Sequence, residues 1–258
     1  MSPAGRLAGE RVILTGGAGG AGAAAARLFA AEGARLCIFD VDVEAGRALV
    51  DELVSVGHEA RFHHVDVSDG IQVGEAVAHA LQWLGGVDVL FNHAGTVIVR
   101  RLIDTSEEEW DRLMDVNVKS MFLTCRAVLP KMMQQGRGVI LNTSSISGLT
   151  ASPLESVYCT SKGAILQLTR AIAVEYRGYG IRCNAICPGF IRTPHGLREM
   201  DELTHAGEPV GEAEIRAAQG RLCEPEEVAR AALSLVSADM AFVSGAHLVV
   251  DNAWQAAT

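Results

Sequence analysis

The amino-acid sequence predicts an α/β protein with a single doubly wound parallel sheet and helices on both faces. Short apolar runs alternate with helix-like stretches along nearly all of the 258 residues. A glycine cluster separates the first apolar run from the first helical stretch, and an acid ends the second run. Strands that alternate with helices are typical of a parallel sheet whose crossover helices cover both faces.

The first forty residues read as strand, glycine turn, helix, strand and acid. The first strand is predicted at residues 11–15, the helix at 23–31 ahead of Gly33, and the second strand at 35–39 ahead of Asp40. Glycines let the backbone approach a pyrophosphate, and a helix N-terminus offers amide donors and the positive end of a dipole. An acid after the second strand can bind ribose hydroxyls. This order predicts a dinucleotide site.

The same alternation continues toward the C-terminus. Further strands are predicted at residues 60–65, 87–91, 139–141, 181–186 and 247–250. Helices are predicted at residues 43–56, 71–84, 106–134, 157–176 and 225–236. Ser106 and Glu109 have the spacing of a capping box, and Pro225 suits the first turn of a helix. Without a linker, repeat or low-complexity segment, we predict one domain over residues 1–258.

One stretch, residues 194–220, breaks this alternation. It is polar and contains Gly196, Gly207, Pro209 and Gly211. Long irregular inserts in a compact domain are usually lids, binding loops or disordered segments. We therefore expect a substrate loop at about residues 194–220.

Composition and charge argue against several classes of function. The net charge is −9 without a basic block, which argues against nucleic acid and anionic membrane surfaces as partners. No apolar run reaches the roughly 18 residues that span a bilayer. Six cysteines without a Cys-x-x-Cys motif, and no signal peptide, favour a reducing, cytoplasmic compartment. The eight histidines show no metal-ligand spacing, so no metal site is predicted.

Tyr158 and Lys162 suggest acid–base chemistry. They are four residues apart in a predicted helix, which places both side chains on one face. An ammonium beside a phenol stabilises phenolate, so we expect a lowered Tyr158 pKa and a tyrosine that acts as general acid/base. Such pairs also occur by chance in helices. Ser145 follows a predicted strand and can reach Tyr158 only if the fold brings that strand end to the start of the helix.

Taken together, the motifs resemble the short-chain dehydrogenase/reductase family over essentially the whole chain. Residues 15–22 fit the Thr-Gly-x3-Gly-x-Gly cofactor turn of that family. Residues 92–95 look like its Asn-Asn-Ala-Gly element with His93 replacing the second Asn, and residues 188–193 resemble its Pro-Gly-x3-Thr element. The positions of its catalytic tetrad are matched by Asn117, Ser145, Tyr158 and Lys162.

The glycine turn also fits Thr-Gly-x2-Gly-x2-Gly, the spacing of the family's extended branch. That branch needs a larger C-terminal substrate domain. Because this chain stops at Thr258, we expect the classical-type branch.

The resemblance implies hydride transfer between NAD and a secondary alcohol or ketone. Tyr158 would exchange the hydroxyl proton, and Ser145 would bond the substrate oxygen as it gains negative charge. Lys162 would lower the Tyr158 pKa and bind the nicotinamide ribose. Asn117 would hold a water that links the lysine to solvent, the alternative being a buried structural amide. Ser144 is the rival serine, and the family spacing to the tyrosine selects Ser145.

The cofactor residues expected from the resemblance come from the same motifs. Asp40 should accept hydrogen bonds from the adenosine ribose and favour NAD, because Gly19 and Val41 stand where a basic residue could offset a 2′-phosphate. The alternative for Asp40, and likewise for Asp66 at the adenine edge, is capping of the helix that follows. The predicted cofactor set is Gly16, Gly20, Gly22, Asp40, Asp66, Val67, Asn92, Gly95, Tyr158, Lys162, Pro188, Gly189, Ile191 and Thr193.

The predicted function is an NAD-dependent secondary alcohol dehydrogenase acting on a small molecule. Alternatives are a reductase working mainly toward alcohol, a lyase or epimerase on the same fold, and an inactive NAD sensor or regulatory protein. The intact tetrad speaks against the sensor. The acidic stretch at 194–220 offers no anion clamp, which favours a neutral hydroxyl compound, such as a cyclic alcohol or a polyol. The resemblance also suggests a homotetramer or dimer.

Four further residues are assigned no chemistry. Cys159 and Cys187 have no base partner near them in sequence, so we interpret both as packing residues. Asp88 and Asp104 are expected to be surface or turn acids.

Overall fold

Residues 5–257, which the computed structural model describes, form a seven-stranded sheet flanked by helices. The strands are β1 (Arg11–Thr15), β2 (Arg35–Asp40), β3 (Ala60–His64), β4 (Val89–Asn92), β5 (Gly138–Thr143), β6 (Ile181–Pro188) and β7 (His247–Val250). They lie in the order β3-β2-β1-β4-β5-β6-β7, and each neighbouring pair is parallel. All the predicted strands are confirmed, with ends shifted by a few residues.

The described residues also form nine α-helices. They are α1 (Gly20–Ala31), α2 (Val43–Ser55), α3 (Gly70–Leu84), α4 (Glu107–Met114), α5 (Ser120–Gln135), α6 (Ser156–Tyr176), α7 (Pro194–His205), α8 (Glu212–Gln219) and α9 (Pro225–Val236). Within residues 5–257, no helix combines the length and the apolar character needed to cross a bilayer.

The helices cover both faces of the sheet. Helices α1, α2 and α9 contribute to the core on one face, and α3, α5 and α6 to the core on the other. Alternate residues of β1 divide between these cores, with Val12 and Leu14 in the first and Ile13 in the second. This arrangement confirms the doubly wound, Rossmann-type architecture.

The winding of the chain reverses beside β1. Strands β2 and β3 lie on one side of β1, and β4 then pairs with the other edge of β1. In a doubly wound sheet, the helices diverge at this point and leave a crevice outside the carboxyl ends of the strands. The fold therefore places a ligand site where the glycine turn follows β1.

The predicted helix at 106–134 contains one π-helical turn. It begins with the predicted capping box, in which the Glu109 amide donates to Ser106 Oγ at 3.2 Å and the Ser106 amide donates to Glu109 Oε2 at 3.0 Å. The π turn, Asp115–Lys119, separates α4 from α5. Single π turns often occur at functional positions of helices. Here the turn contains Asn117, which is fully buried.

The stretch at 194–220 is not an irregular insert as predicted, because it forms α7 and α8. Thr193 caps α7 by accepting a hydrogen bond from the Gly196 amide at 3.1 Å, and Pro194 occupies the first turn. Apolar residues scattered through the polar sequence form a small core comprising Met200, Ile215 and Leu222, against which Phe190, Val210 and Trp254 pack. Because the stretch is mostly polar, its sequence did not indicate that these apolar residues pack together.

Asp88 is buried, which corrects the expectation of a surface acid. Its carboxylate accepts hydrogen bonds from the Arg11 amide at 3.0 Å and from Nε and Nη2 of that residue at 2.7 Å each. Arg137 pairs with it at 2.8 Å. Burial acts to raise the Asp88 pKa, but the bonds from Arg11 outweigh it, and the pKa lies below its ordinary value. These contacts join the starts of three central strands.

Replacing Asp88 with Asn should lower the free energy of unfolding by about 2–3 kcal/mol at neutral pH, because Arg11 loses its carboxylate partner. The folded-state pKa is depressed, so this contribution is present above the unfolded pKa and disappears as pH falls through the folded pKa. Chemical denaturation of the wild type and of Asp88→Asn measures the difference.

Asp104→Asn is the control for this comparison. Asp104 pairs with Arg101 at 2.6 Å, but the two side chains are 44% and 65% exposed, as expected for a surface acid. Loss of this ion pair should lower the free energy of unfolding by less than about 0.5 kcal/mol. Equal losses of stability in the two variants would contradict the role given to Asp88.

Candidate active site

A cavity of about 910 Å³ lies at the carboxyl ends of the strands, beside the β1–β4 boundary. Most of the residues predicted from the sequence line it. They are Gly16, Gly20, Asp40, Asp66, Val67, Gly95, Ser145, Tyr158, Lys162, Pro188, Gly189, Ile191 and Thr193. The predicted residues that do not line it are Gly22, Asn92 and Asn117.

The glycine turn brings backbone, not side chains, to one end of the cavity. Gly16 has φ +67°, and a Cβ there would lie 2.6 Å from Ala94 Cα, so only glycine fits. Helix α1 starts at Gly20 with Gly19 as its N-cap, and no side chain bonds to its first amides. Gly22 packs on the Gly16 carbonyl, which gives it a supporting position behind the turn. Open amides at a helix start fit a pyrophosphate.

Asp40 is held at the end of β2 by backbone donors. Its Oδ2 accepts from the Ala18 amide at 2.9 Å, and its Oδ1 accepts from the Asp42 amide at 3.0 Å. Helix α2 is capped by Asp42, which accepts from the Ala45 amide at 3.0 Å. The alternative of Asp40 as that helix cap is therefore wrong, and its carboxylate lines the cavity.

Asp66 is likewise not the cap of the helix that follows, because Asp69 caps α3. Asp66 Oδ1 accepts from the Ser68 amide at 2.9 Å and from its hydroxyl at 2.6 Å. Its Oδ2 pairs with Arg112 of α4 at 3.4 Å. Arg112 also lines the cavity. The sequence did not indicate this arginine, because nothing in its local pattern relates it to β3.

The Asn92 side chain supports the sheet and does not reach the cavity, which corrects its predicted place among the cofactor residues. Its Nδ2 donates to Asn142 Oδ1 at 2.9 Å, and its Oδ1 accepts from the Thr124 hydroxyl at 2.7 Å. The side chain is 2% exposed. Both ends of the amide are thus bonded inside the core between β4, β5 and α5.

Asn117 connects the segment after β4 to α6. Its Oδ1 accepts from the Thr96 amide at 2.8 Å, while Nδ2 donates to the Thr96 carbonyl at 2.8 Å and to Ser161 Oγ at 3.0 Å. These bonds engage the side-chain amide. The predicted water link between Asn117 and Lys162 stays a prediction.

The two neighbouring serines have different roles. Ser144 Oγ donates to the Lys162 carbonyl at 2.8 Å, which fixes α6 to the end of β5. Ser145 lines the cavity, where its hydroxyl accepts from the Ser147 amide at 3.1 Å and interacts with the Tyr158 phenol. The fold thus brings Ser145, and not its neighbour, to the tyrosine.

Lys162 is buried beneath Tyr158. Its Nζ donates to the Thr143 carbonyl at 3.1 Å and lies 5.5 Å from the centroid of the tyrosine ring. Burial lowers the Lys162 pKa to about 8. On the other side, a Cβ at Gly95 would lie 3.5 Å from Nζ, so this glycine keeps the backbone close to the ammonium.

The Tyr158 pKa is raised in this structure, whereas the sequence predicted a lowered value. Burial is the largest cause, and the carboxyl groups of Glu199 and Glu155 add to it. The hydrogen bond with Ser145 acts in the opposite direction. The prediction considered only the lysine four residues away. It missed burial, which has the largest effect at the phenol, and the carboxyl groups of Glu199, remote in sequence, and of Glu155, three residues before the tyrosine.

Three titratable residues near Tyr158 were not assigned a role from the sequence. Glu155 directly precedes α6, where an acid is typical of a helix start, but it makes no capping bond. Glu199 and His195 lie on α7 and line the cavity, with His195 Nε2 3.9 Å from Glu199 Oε2. Burial and Arg198 lower the His195 pKa to about 4.

The cysteines near the site pack as predicted. Burial raises the pKa of Cys187 to about 11 and also raises that of Cys159. His93, the departure from the family's second Asn, bonds through Nδ1 to Thr143 Oγ1 at 3.0 Å. Burial, followed by the Lys162 charge, lowers the His93 pKa to about 4, so the imidazole is neutral at physiological pH.

Comparison with known proteins gives consistent matches. A family model described as enoyl-(acyl carrier protein) reductase matches residues 16–254. A 2-(R)-hydroxypropyl-CoM dehydrogenase of Xanthobacter autotrophicus is 39% identical over 255 residues, covering 95% of this chain and 98% of that protein. A cyclopentanol dehydrogenase of Comamonas is 38% identical over 252 residues, covering 98% of this chain and 99% of that protein.

A solved structure agrees over the same length. The crystal structure of levodione reductase matches with a TM-score of 0.93 at 32% identity, covering 97% of this chain and 99% of that one. The similarity therefore includes the sheet, the glycine turn and the residues around Tyr158. The chain belongs to the short-chain dehydrogenase/reductase family and is an oxidoreductase.

Proposed function

We propose that this enzyme transfers hydride reversibly between NAD and a secondary alcohol or ketone. The observation that carries the proposal is that Ser145, Tyr158 and Lys162 line the same cavity as the uncapped start of α1. Similar proteins include dehydrogenases named for hydroxypropyl-CoM and for cyclopentanol, which supports an alcohol as substrate.

The side chains can handle the proton and the charge of this reaction. NAD, when bound, supplies the hydride acceptor. Ser145 and Tyr158 both face the cavity, where their hydroxyl groups can bond the substrate oxygen. In ketone reduction the phenol gives this oxygen a proton, and in alcohol oxidation the phenolate takes it. The Lys162 ammonium favours the phenolate by its positive potential.

The proposed cofactor site uses backbone for phosphates and Asp40 for ribose. The open amides of α1 suit a pyrophosphate, and the carboxylate can accept from both ribose hydroxyls. A 2′-phosphate would meet the negative charge of Asp40. Arg112 lines the same cavity, but its pairing with Asp66 offsets its charge. These contacts support NAD over NADP.

Residues of α7 support the proposal that the 194–220 stretch encloses the substrate. The helix contributes five residues to the lining of the cavity, namely Pro194, His195, Gly196, Arg198 and Glu199. Enclosure by such a segment excludes water from the reaction. We regard the chain as one domain in which α7 and α8 serve this purpose.

Cytoplasmic location and homo-oligomerisation, as a dimer or tetramer, are part of the proposal. All six cysteines are free thiols, which supports a reducing compartment. Large apolar side chains are exposed on two helices, with Phe122 of α5 48% exposed and Val174 of α6 63% exposed. A partner subunit would cover such residues.

Tyr158→Phe should lower kcat/KM by at least about 100-fold, the low end for loss of a general acid/base. The ring stays in place, so NAD affinity should be nearly unchanged. Steady-state kinetics of alcohol oxidation and calorimetric NAD binding measure the two effects. Tyr179→Phe is the control, because Tyr179 is exposed after α6 and should not affect turnover. Near-normal activity of Tyr158→Phe would end the proposed mechanism.

Catalytic efficiency should favour NAD over NADP by at least about 100-fold, or roughly 2.7 kcal/mol. Asp40→Ala should lower this ratio, mainly by weakening the binding of NAD. A further Val41→Arg substitution should raise the catalytic efficiency with NADP. Kinetics with both cofactors test this. Asp51→Ala, an exposed acid of α2, should leave the ratio unchanged. A wild type that prefers NADP would show the assignment of Asp40 to be wrong.

Alcohol oxidation should become faster as pH rises from about 7 to about 10, because it needs the Tyr158 phenolate and the Tyr158 pKa is raised. Ketone reduction needs the protonated phenol, so it should be fastest at low pH and slow as the phenol ionises. Profiles of kcat/KM in both directions measure this. Lys162→Met should weaken turnover and NAD binding together. Oxidation that is independent of pH over this range would contradict the role of Tyr158.

A further inference from the structure

A pair of buried carboxyl groups lies near Tyr158, and one of them lines the cavity. Glu199 of α7 lines the cavity and is 9% exposed, while Glu155 is 2% exposed. The Glu155 carboxyl interacts with Glu199 and with the Ser152 hydroxyl, and both of these residues line the cavity. Glu155 therefore points toward the wall of the cavity and not into the sheet core.

The protein does not supply all the hydrogen-bond donors that these two carboxyl groups need. Carboxylates only accept hydrogen bonds, so a bond between Glu155 and Glu199 requires one shared proton. Glu155 Oε1 is buried without a donor among the described residues. Burial raises the pKa of both groups, and the Glu155 carboxyl raises the Glu199 pKa further, whereas the hydrogen bond from Glu199 acts to lower the Glu155 pKa. Burying such groups unpaired costs several kcal/mol.

The cations near this pair are already bonded elsewhere. The charged and titratable groups that face it are Tyr158, Cys159, Lys162, His195 and Arg198. The lysine ammonium bonds the Thr143 carbonyl, and Arg198, with a side chain 51% exposed, pairs with Glu202 at 3.5 Å. The imidazole of His195 is neutral because burial lowers its pKa to about 4. No Lys or Arg of residues 5–257 forms an ion pair with either carboxyl group.

An ammonium group would supply what the protein lacks here. It brings three N–H donors and a positive charge, so it can bond both carboxyl groups after the shared proton leaves. A substrate hydroxyl brings one donor and no charge, and would leave the second carboxylate uncompensated. An anionic substrate would be repelled. The contacts of this wall thus favour a cationic group over the neutral compound expected from the sequence.

We propose that Glu155 and Glu199 bind an ammonium group of the substrate, so that the enzyme acts on amino alcohols and the matching amino ketones. This inference rests on the proposed function, because it places the ammonium in the cavity where the alcohol reacts with Tyr158. Glu199, which lines the cavity, bonds the ammonium, and Glu155 bonds it through the carboxylate oxygen that has no donor among the described residues.

Selectivity between substrates of similar size tests the inference. At about pH 8, kcat/KM of the wild type with NAD should be at least about tenfold higher for 1-amino-2-propanol than for 2-butanol or 1,2-propanediol. Glu199→Gln should reduce this advantage to less than about twofold. Asp201→Asn removes an exposed acid of the same helix and should keep the advantage, because Asp201 pairs with His205 at the surface.

Calorimetry gives a readout that does not need turnover. 1-Amino-2-propanol should bind the protein saturated with NAD, and Glu199→Gln should weaken this binding at least about tenfold. Oxidation of 2-butanol with no preference for the amine would overturn the inference and leave the proposed function intact. A preference for the diol would show that the subsite binds a hydroxyl group, and would therefore overturn the inference of an ammonium subsite. Binding of the amine without oxidation of any alcohol would overturn the proposed function alone.

Thermal stability separates a binding role from a purely structural one. The amide of Glu199→Gln can donate to the Glu155 carboxylate, so this variant should melt at the same temperature as the wild type or higher at about pH 8. A pair that exists only to hold α7 against α6 would make the variant melt at a lower temperature. A lower melting temperature combined with unchanged amine binding would contradict the inference.

Discussion

The arrangement of the site depends on one constraint, the parallel direction of all seven strands. Their carboxyl ends share one edge of the sheet, and the reversal beside β1 keeps the crossover helices from closing over it. Segments distant in sequence therefore meet there. The glycine turn follows β1, Asp40 ends β2, Gly95 follows β4 and Ser145 follows β5. The sheet positions the cofactor groups and the catalytic groups at the same time.

Burial then determines what those groups can do. Lys162 loses most of its contact with water yet keeps the Thr143 carbonyl as a partner, and its pKa falls to about 8. Tyr158 responds in the opposite direction, because burial and the two carboxyl groups disfavour a second negative charge. The phenol is therefore held as a proton donor. A cation bound at Glu155 and Glu199 would reduce this repulsion, so substrate binding and proton transfer would be coupled through charge.

Much of the fold and of the candidate site could be predicted from the sequence, because the patterns that indicate them are local. Strand and helix periods, the glycine turn and the acid after β2 each depend on neighbouring residues, and they located the sheet and the Asp40 end of the cavity correctly. The choice of Ser145 over Ser144 rested on spacing in a resembled family, and the hydrogen bonds agree with it. Local spacing also indicated that Tyr158 and Lys162 share one side of a helix.

The failures concern contacts between residues that are remote in sequence. The carboxyl groups of Glu155 and Glu199 meet because α7 packs beside the start of α6. No local sequence pattern indicates this contact. The direction of the Tyr158 pKa was wrong because burial, which depends on the whole fold, has the largest effect at the phenol. Asp88 looked like a turn acid until the fold placed Arg11 and Arg137 on either side of it. Asn92 was predicted among the cofactor residues, whereas polar residues of the core bond both ends of its side-chain amide.

Burial and the carboxyl pair keep the Tyr158 phenol protonated until it acts. An ultraviolet titration of tyrosine ionisation tests it directly, because the chain has only three tyrosines and subtraction of the Tyr158→Phe spectrum isolates this one. Tyr158 should ionise above pH 10, the ordinary value for tyrosine, and at a lower pH in Glu199→Gln than in the wild type. Ionisation of Tyr158 below pH 10 in the protein alone, unaffected by Glu199→Gln, would contradict it.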